Sequence, residues 1–100
     1  MGEIIVGEYI VEWDDAKNEI NKKKHKISFE FAAKVFLDDN RIDNYDEFNS
    51  DDEDRIKVIG RVGKILAVIY TEHDEKYRLI SARRADKKEE EEYYGQYSYL

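Results

Sequence analysis

The pattern of apolar and polar positions divides the chain into short, alternating elements. "EYIVEWD" at 8–14 alternates and is rich in β-branched and aromatic residues, which predicts a half-buried strand. Asp14 is placed to cap a helix over 15–25, with Ala16 and Ile20 on one face and Lys17, Lys22 and Lys23 solvated. "KHKIS" breaks that pattern. Ser28 then reads as the N-cap of a second helix, with Ile27 and Ala32 as a hydrophobic staple. Phe29, Ala32, Ala33 and Phe36 fall at i, i+3, i+4 and i+7, which is one buried stripe, and "LDDN" ends the helix. Part of "RIDNYDEF" at 41–48 predicts a short strand, and the rest of 38–54 an exposed loop.

The second half reads as sheet. "RIKVIGRV" at 55–62 puts Ile56, Val58 and Val62 on one face, Gly63 supplies a turn, and "ILAVIY" at 65–70 is the continuous apolar run of a central strand. "TEHDEK" at 71–76 predicts a second turn and "YRLISA" at 77–82 the next strand. A helix is expected from Asp86 to about Tyr97. The order β-α-α-(β)-β-β-β-α is α+β. It predicts a mostly antiparallel sheet, with two N-terminal helices packed on one face and a C-terminal helix. Without internal repeats or a second core, residues 1–100 are expected to form a single domain.

Charge narrows the function classes. Seventeen basic against 24 acidic residues give a formal charge of −7, which opposes nonspecific coating of nucleic acid but leaves room for a local phosphate site. The stretch 38–54 holds nine acids and one base, Arg41. With no cysteine there is neither a disulfide nor a thiolate metal site, in keeping with a cytoplasmic protein. "MGEIIVGEYIVEW" has no basic leader and no long apolar run, so neither a signal peptide nor a membrane span is expected.

Three groups of residues could carry chemistry. The run "NKKKHK" at 21–26 suits the negative end of a helix dipole, and His25 within it is the side chain best fitted to move a proton near neutral pH. Arg55, Arg61, Arg78 and Arg83 lie in or beside the predicted strands. Strict alternation sends Tyr77, Leu79 and Ser81 one way and Arg78, Ile80 and Ala82 the other. Arg55, Lys57, Ile59 and Arg61 share the parity opposite to Ile56. A sheet covered on one side only would leave such arginines on its open face, either solvated or gripping a phosphodiester. The acids of 38–54 have neither the spacing nor the glycine of a calcium loop, and His25 and His73 do not make a zinc signature. No Gly-rich phosphate loop, G-x-S-x-G or cysteine nucleophile is present, so no metal and no cofactor is expected.

Three segments carry a resemblance: "EWDDAKNEINKKKHKISFEFAAKVFLD" at 12–38, "EDRIKVIGRVGKILAVIYTE" at 53–72 and "RLISARRADKKEEEEY" at 78–93. With their E-W-D, K-H-x-I-S-F-E, R-x-x-x-I-G, V-x-Y-T-E and I-S-A-R-R-A motifs and a following E-x-x-x-Y, the chain resembles the BrnT toxins. These are small ribonucleases of bacterial type II toxin–antitoxin modules, with a RelE-like fold. The resemblance implies metal-independent RNA cleavage, in which the ribose 2′-OH attacks the adjacent phosphorus. It implies Glu53 or His25 as proton-transfer groups and Arg55, Arg78 and Arg83 as phosphate and transition-state stabilisers. Lys24, His73 and Arg84 are the implied substrate contacts. It also implies a cognate antitoxin of ribbon-helix-helix type, through which alone DNA would be contacted. The chain departs from the family at His73, where arginine is common, and in the acidic run Glu89–Glu92, where basic residues are frequent. Those departures keep open a non-catalytic module that binds an antitoxin-like partner and tunes transcription; a third reading, a metal-dependent nuclease, uses the 38–54 acids.

Overall fold

The computed structural model describes residues 1–46 and 53–99, with side chains through residue 97. Its strands are β1 (Gly2–Val6), β2 (Tyr9–Trp13), β3 (Ile42–Tyr45), β4 (Ile56–Val62), β5 (Lys64–His73) and β6 (Lys76–Arg84). Its helices are α1 (Asp15–His25), α2 (Phe29–Ala32), continued by a 3₁₀ turn over Ala33–Leu37, and α3 (Lys87–Gly95), continued over Gln96–Tyr99. Among the described residues the strands form one sheet in the order β1-β2-β6-β5-β4-β3, antiparallel except where β2 meets β6. The fold is thus α+β with a mostly antiparallel sheet. The acidic stretch 38–54 is described only in part, since 47–52 lie outside the described residues. No helix among the described residues is long and apolar enough to cross a membrane.

The first strand was not expected. "GEIIV" pairs with β2 as a hairpin, Gly2 opposite Trp13 and Val6 opposite Tyr9, around a turn in which Gly7 has φ +60°. Its five residues are too few to stand out as periodic, and a left-handed glycine is what closes the hairpin.

The two faces of the sheet are covered differently. On one, Val11, Val58, Leu66, Val68, Tyr70, Leu79 and Ala82 pack against Ile27, Phe29, Ala32, Ala33, Val35 and Phe36, so the predicted stripe is the centre of the core. Gly60 lets the 3₁₀ turn lie close on β4, because a Cβ there would come within 2.5 Å of Val35 Cγ2. On the other face, Ile59 and Ile65 pack with Ala85 and Tyr93, so α3 covers part of the side expected to be open. Tyr93 donates to Asp38 Oδ2 at 2.7 Å, and the same oxygen accepts the Arg61 N–H. Asp38 therefore ties α3 to β4 and is not a free loop acid.

Helix α1 also differs from expectation. Ile20 is 63% exposed, and the buried residues of the helix are Asn18 and Asn21. Strand β2 runs beside β6 only at Val11 opposite Tyr77 and Glu12 opposite Arg78. Further along, Asn21 takes the place of a neighbouring strand: its amide donates to Ala82 O (2.9 Å), and its carbonyl accepts the Ala82 N–H (3.1 Å). The same amide donates to Ile27 O at 2.9 Å. Asn18 accepts the Phe29 N–H and donates to Glu30. Buried asparagines thus join α1 to the edge of β6 and to the start of α2, and hydrophobic periodicity cannot reveal such a face.

Candidate active site on the far face of the sheet

Strand β6 does not keep strict alternation. Ile69 pairs with Ser81 but Tyr70 with Leu79, so Ile80 is an extra residue and the ladder is bulged there. Leu79 and Ala82 consequently both enter the main core, whereas Arg78, Ser81 and Arg83 project from the opposite face. An unbulged strand carrying Arg78 on that face would have turned Arg83 into the core. Bulges re-aim side chains in this way, and this one gathers the two arginines onto one surface with Lys57, whose neighbour Ile69 pairs with Ser81.

Each arginine is held by a buried carboxylate. Arg83 forks onto Glu89, Nη1 to Oε1 at 2.6 Å and Nη2 to Oε2 at 3.0 Å, and Lys57 Nζ lies 2.8 Å from Oε2. Glu89 is 4% exposed and closes a capping box with Asp86 at the start of α3. Burial alone would raise its carboxyl, but the hydrogen bonds from Arg83, Lys57 and the Asp86 N–H outweigh burial and bring it down to about 2. Arg83 and Lys57 line a cavity of about 370 Å³ with Asn44, Tyr45, Asp46 and Ile69. Lys57 and Arg83 share the Glu89 carboxylate, and Asp46 adds a second acid to the lining, so two cations there face two carboxylates. Lys57 and Glu89 were not among the expected site residues; the D-x-x-E capping signature at 86–89 was the available signal for the second.

His25 and Lys24 end α1 beside the bulge, where they line a cavity of about 250 Å³ with Asn21, Ile80 and Ser81. Burial, then the positive charges of Lys24 and Arg83, hold the His25 imidazole below its ordinary value. A neutral imidazole next to an arginine at neutral pH can accept a proton.

Arg78 forms a second centre. Its Nε donates to Glu12 Oε2 at 2.8 Å, and His73 Nδ1 lies 3.4 Å from its Nη2. Glu12 is 5% exposed. Arg78 pairs with Thr71 and Arg83 with Ala67, four residues apart on β5, which is about 13 Å at roughly 3.3 Å per residue. The two guanidiniums are held in separate ion networks, Arg78 on Glu12 and Arg83 on Glu89. Arg55 directly precedes β4, and its carbonyl accepts the Asp46 N–H. Glu53 lines a separate cavity of about 260 Å³ with Asp54, Ile56, Thr71 and Glu72, near the Arg78 end of the face. Arg84, paired with Leu66, is exposed on the other face. The expected residues therefore fall into two groups, His25, Lys24 and Arg83 in one, and Arg78, His73 and Glu53 in the other.

The ion network at Glu89 makes a prediction about acid stability. A carboxyl lowered from 4.5 to about 2 by folding contributes its full stabilisation above pH 4.5 and loses it as the pH falls towards 2. This is on the order of 3 kcal/mol. Glu89→Gln is expected to remove that slope from urea-unfolding free energies measured between pH 5 and 2, at constant ionic strength.

Comparison with known proteins agrees with this architecture. Residues 13–89 match the family model for "Ribonuclease toxin, BrnT, of type II toxin-antitoxin system". The crystal structure of the Brucella abortus ribonuclease toxin BrnT is similar, with a TM-score of 0.59 and 26% identity over 77% of this chain and 96% of that one. Among curated proteins none matches. The chain belongs to the BrnT family of ribonuclease toxins of type II toxin–antitoxin systems.

Proposed function

We propose that this single-domain chain is an endoribonuclease toxin that cleaves RNA without a metal ion, at the cavity shared by Arg83 and Lys57. The observation that carries the reading is that Arg83 and Lys57 line one cavity of this face while His25, whose imidazole feels the Arg83 charge, lines the neighbouring cavity beside the bulge of β6. In this reading His25 takes the proton of the ribose 2′-OH as the 2′-oxygen bonds to phosphorus. The bond from phosphorus to the 5′-oxygen breaks, the 5′-oxygen takes up a proton, and the products are a 2′,3′-cyclic phosphate and a 5′-hydroxyl. Arg83 and Lys57 meet the charge that builds on the nonbridging oxygens. Lys24 and Arg84 contact flanking substrate. Arg78, His73 and Arg55 bind a neighbouring stretch, and Glu53 belongs to that second group. RNA is chosen over DNA because only RNA carries the nucleophile.

The partner is a cognate ribbon-helix-helix antitoxin in the cytoplasm, and DNA is met only through it. The competing reading, a non-catalytic antitoxin-binding module, draws support from the buried glutamates that neutralise part of the charge on Arg78 and Arg83. Incubation of purified protein with RNA and EDTA separates the readings. Cleavage to 2′,3′-cyclic ends is expected, with a rate that rises with pH through a value below the usual histidine pKa, because the His25 base must be deprotonated. No cleavage at high protein concentration would leave the binding module, and cleavage abolished by EDTA would mean a metal-dependent nuclease.

A further inference from the structure

Phe31 is 41% exposed, although Phe29, two residues earlier on α2, is fully buried. A lone exposed aromatic is ordinary, but the surroundings of this one are not. Its ring lines a cavity of about 530 Å³ with Lys22, Lys26, Ile27 and Ser28, and Lys34 Nζ lies 5.6 Å from the ring centroid. In a chain of net charge −7, residues 22–26 are four lysines and His25. The helix dipole accounts for basic residues in the last turn of α1, but Lys26 lies past its end, in the left-handed cap, and Lys34 belongs to the following 3₁₀ turn. Lys22 is paired with Glu19 at 2.8 Å, whereas among the described residues no ion pair holds Lys26 or Lys34.

From these positions we infer that Phe31, Lys26 and Lys34 form a second binding site for single-stranded RNA, separate from the cleavage cavity. One base stacks on the Phe31 ring, and the two lysines meet the adjoining phosphates. Lys26 directly follows His25, which lines a different cavity at the end of α1, so a strand crossing the end of that helix passes from the Phe31 site towards the proposed base. A π-face with unpaired cations beside it is how sequence-tolerant single-strand sites are built. The inference rests on the proposed ribonuclease reading and adds to it where the substrate runs beyond the scissile bond.

The test uses the full chain and a fluorescent single-stranded 12-mer carrying 2′-O-methyl groups, so that it binds without being cut. Phe31→Ala and Phe31→Leu are expected to weaken binding about tenfold, and Phe31→Trp to retain it. Lys26→Gln with Lys34→Gln is expected to flatten the dependence of log affinity on log salt by roughly 1.4, at about 0.7 per phosphate contact. With unmodified RNA, Phe31→Ala is expected to lower kcat/KM on a 12-mer but leave cleavage of a dinucleotide unchanged. Equal binding by wild type and Phe31→Ala overturns the second site while leaving the cleavage reading intact. A wild-type chain that binds no RNA at low salt overturns both. A Phe31→Ala chain that loses affinity only for its antitoxin overturns the RNA assignment in favour of a protein-docking surface.

Discussion

Arg83→Ala is expected to remove most RNA cleavage and, in addition, to lower folding stability by about 3 kcal/mol, the low end for breaking a buried ion pair because Lys57 remains. Both losses have one origin. The guanidinium is the bidentate partner of a glutamate that is 4% exposed, so deleting it leaves a buried carboxylate held by Lys57, the capping N–H and little else. A simple alanine variant thus confuses a dead enzyme with an unstable one. Combining Arg83→Ala with Glu89→Gln removes the uncompensated charge and is expected to restore most of the stability in urea unfolding, while cleavage stays down about 100-fold or more. Arg83→Lys keeps the charge but loses the fork, and is expected to keep the fold with much reduced activity. Recovery of full cleavage in the double variant would move the chemistry away from Arg83, towards the Arg78 centre.

The same residues explain what the sequence could and could not reveal. Phe29, Ala32, Ala33 and Phe36 were legible as one stripe because they are apolar and recur at helical spacing, and all four lie in the core. The strands β4, β5 and β6 were legible for the same kind of reason. The placement of Arg83 was not, because one extra residue at Ile80 inverts the parity on which any strand argument depends, and nothing in "RLISARR" announces a bulge. The acidic run 89–92 gave the opposite difficulty. Counted as charge it weakens a phosphate site, but only Glu89 is buried, and it orders Arg83 and Lys57 beside the cavity. Residue type and strand position had singled out His25 and Arg83 as candidates, and resemblance added a substrate-contact role for Lys24. It also grouped Glu53 and Arg78 with them, although Arg78 stands about 13 Å along the sheet from Arg83.

Asn21→Ala is expected to destabilise the fold by roughly 3 kcal/mol or more, an effect the polar character of the residue would not suggest. Its side chain satisfies Ala82 N–H, Ala82 C=O and Ile27 C=O, at 3.1, 2.9 and 2.9 Å, in a site 5% exposed. Each backbone group left buried without a partner costs about 1–3 kcal/mol, so three losses exceed what any single surface contact contributes. Asn21→Leu keeps the branched shape and supplies apolar area, yet leaves the same three groups unpaired, and is expected to fare no better. Asn21→Asp keeps the acceptor for Ala82 N–H but sets a carboxylate against two carbonyl oxygens, and is also expected to destabilise. Urea unfolding of the three variants decides the point: a leucine variant as stable as wild type would mean that packing, and not the hydrogen bonds, holds α1 to β6. The consequence reaches the site because His25 lies one helical turn beyond Asn21, on the segment that Asn21 fixes. Variants that remain folded at low temperature are expected to lose kcat more than KM, since the imidazole, rather than the RNA-binding surface, loses its position against the bulge of β6.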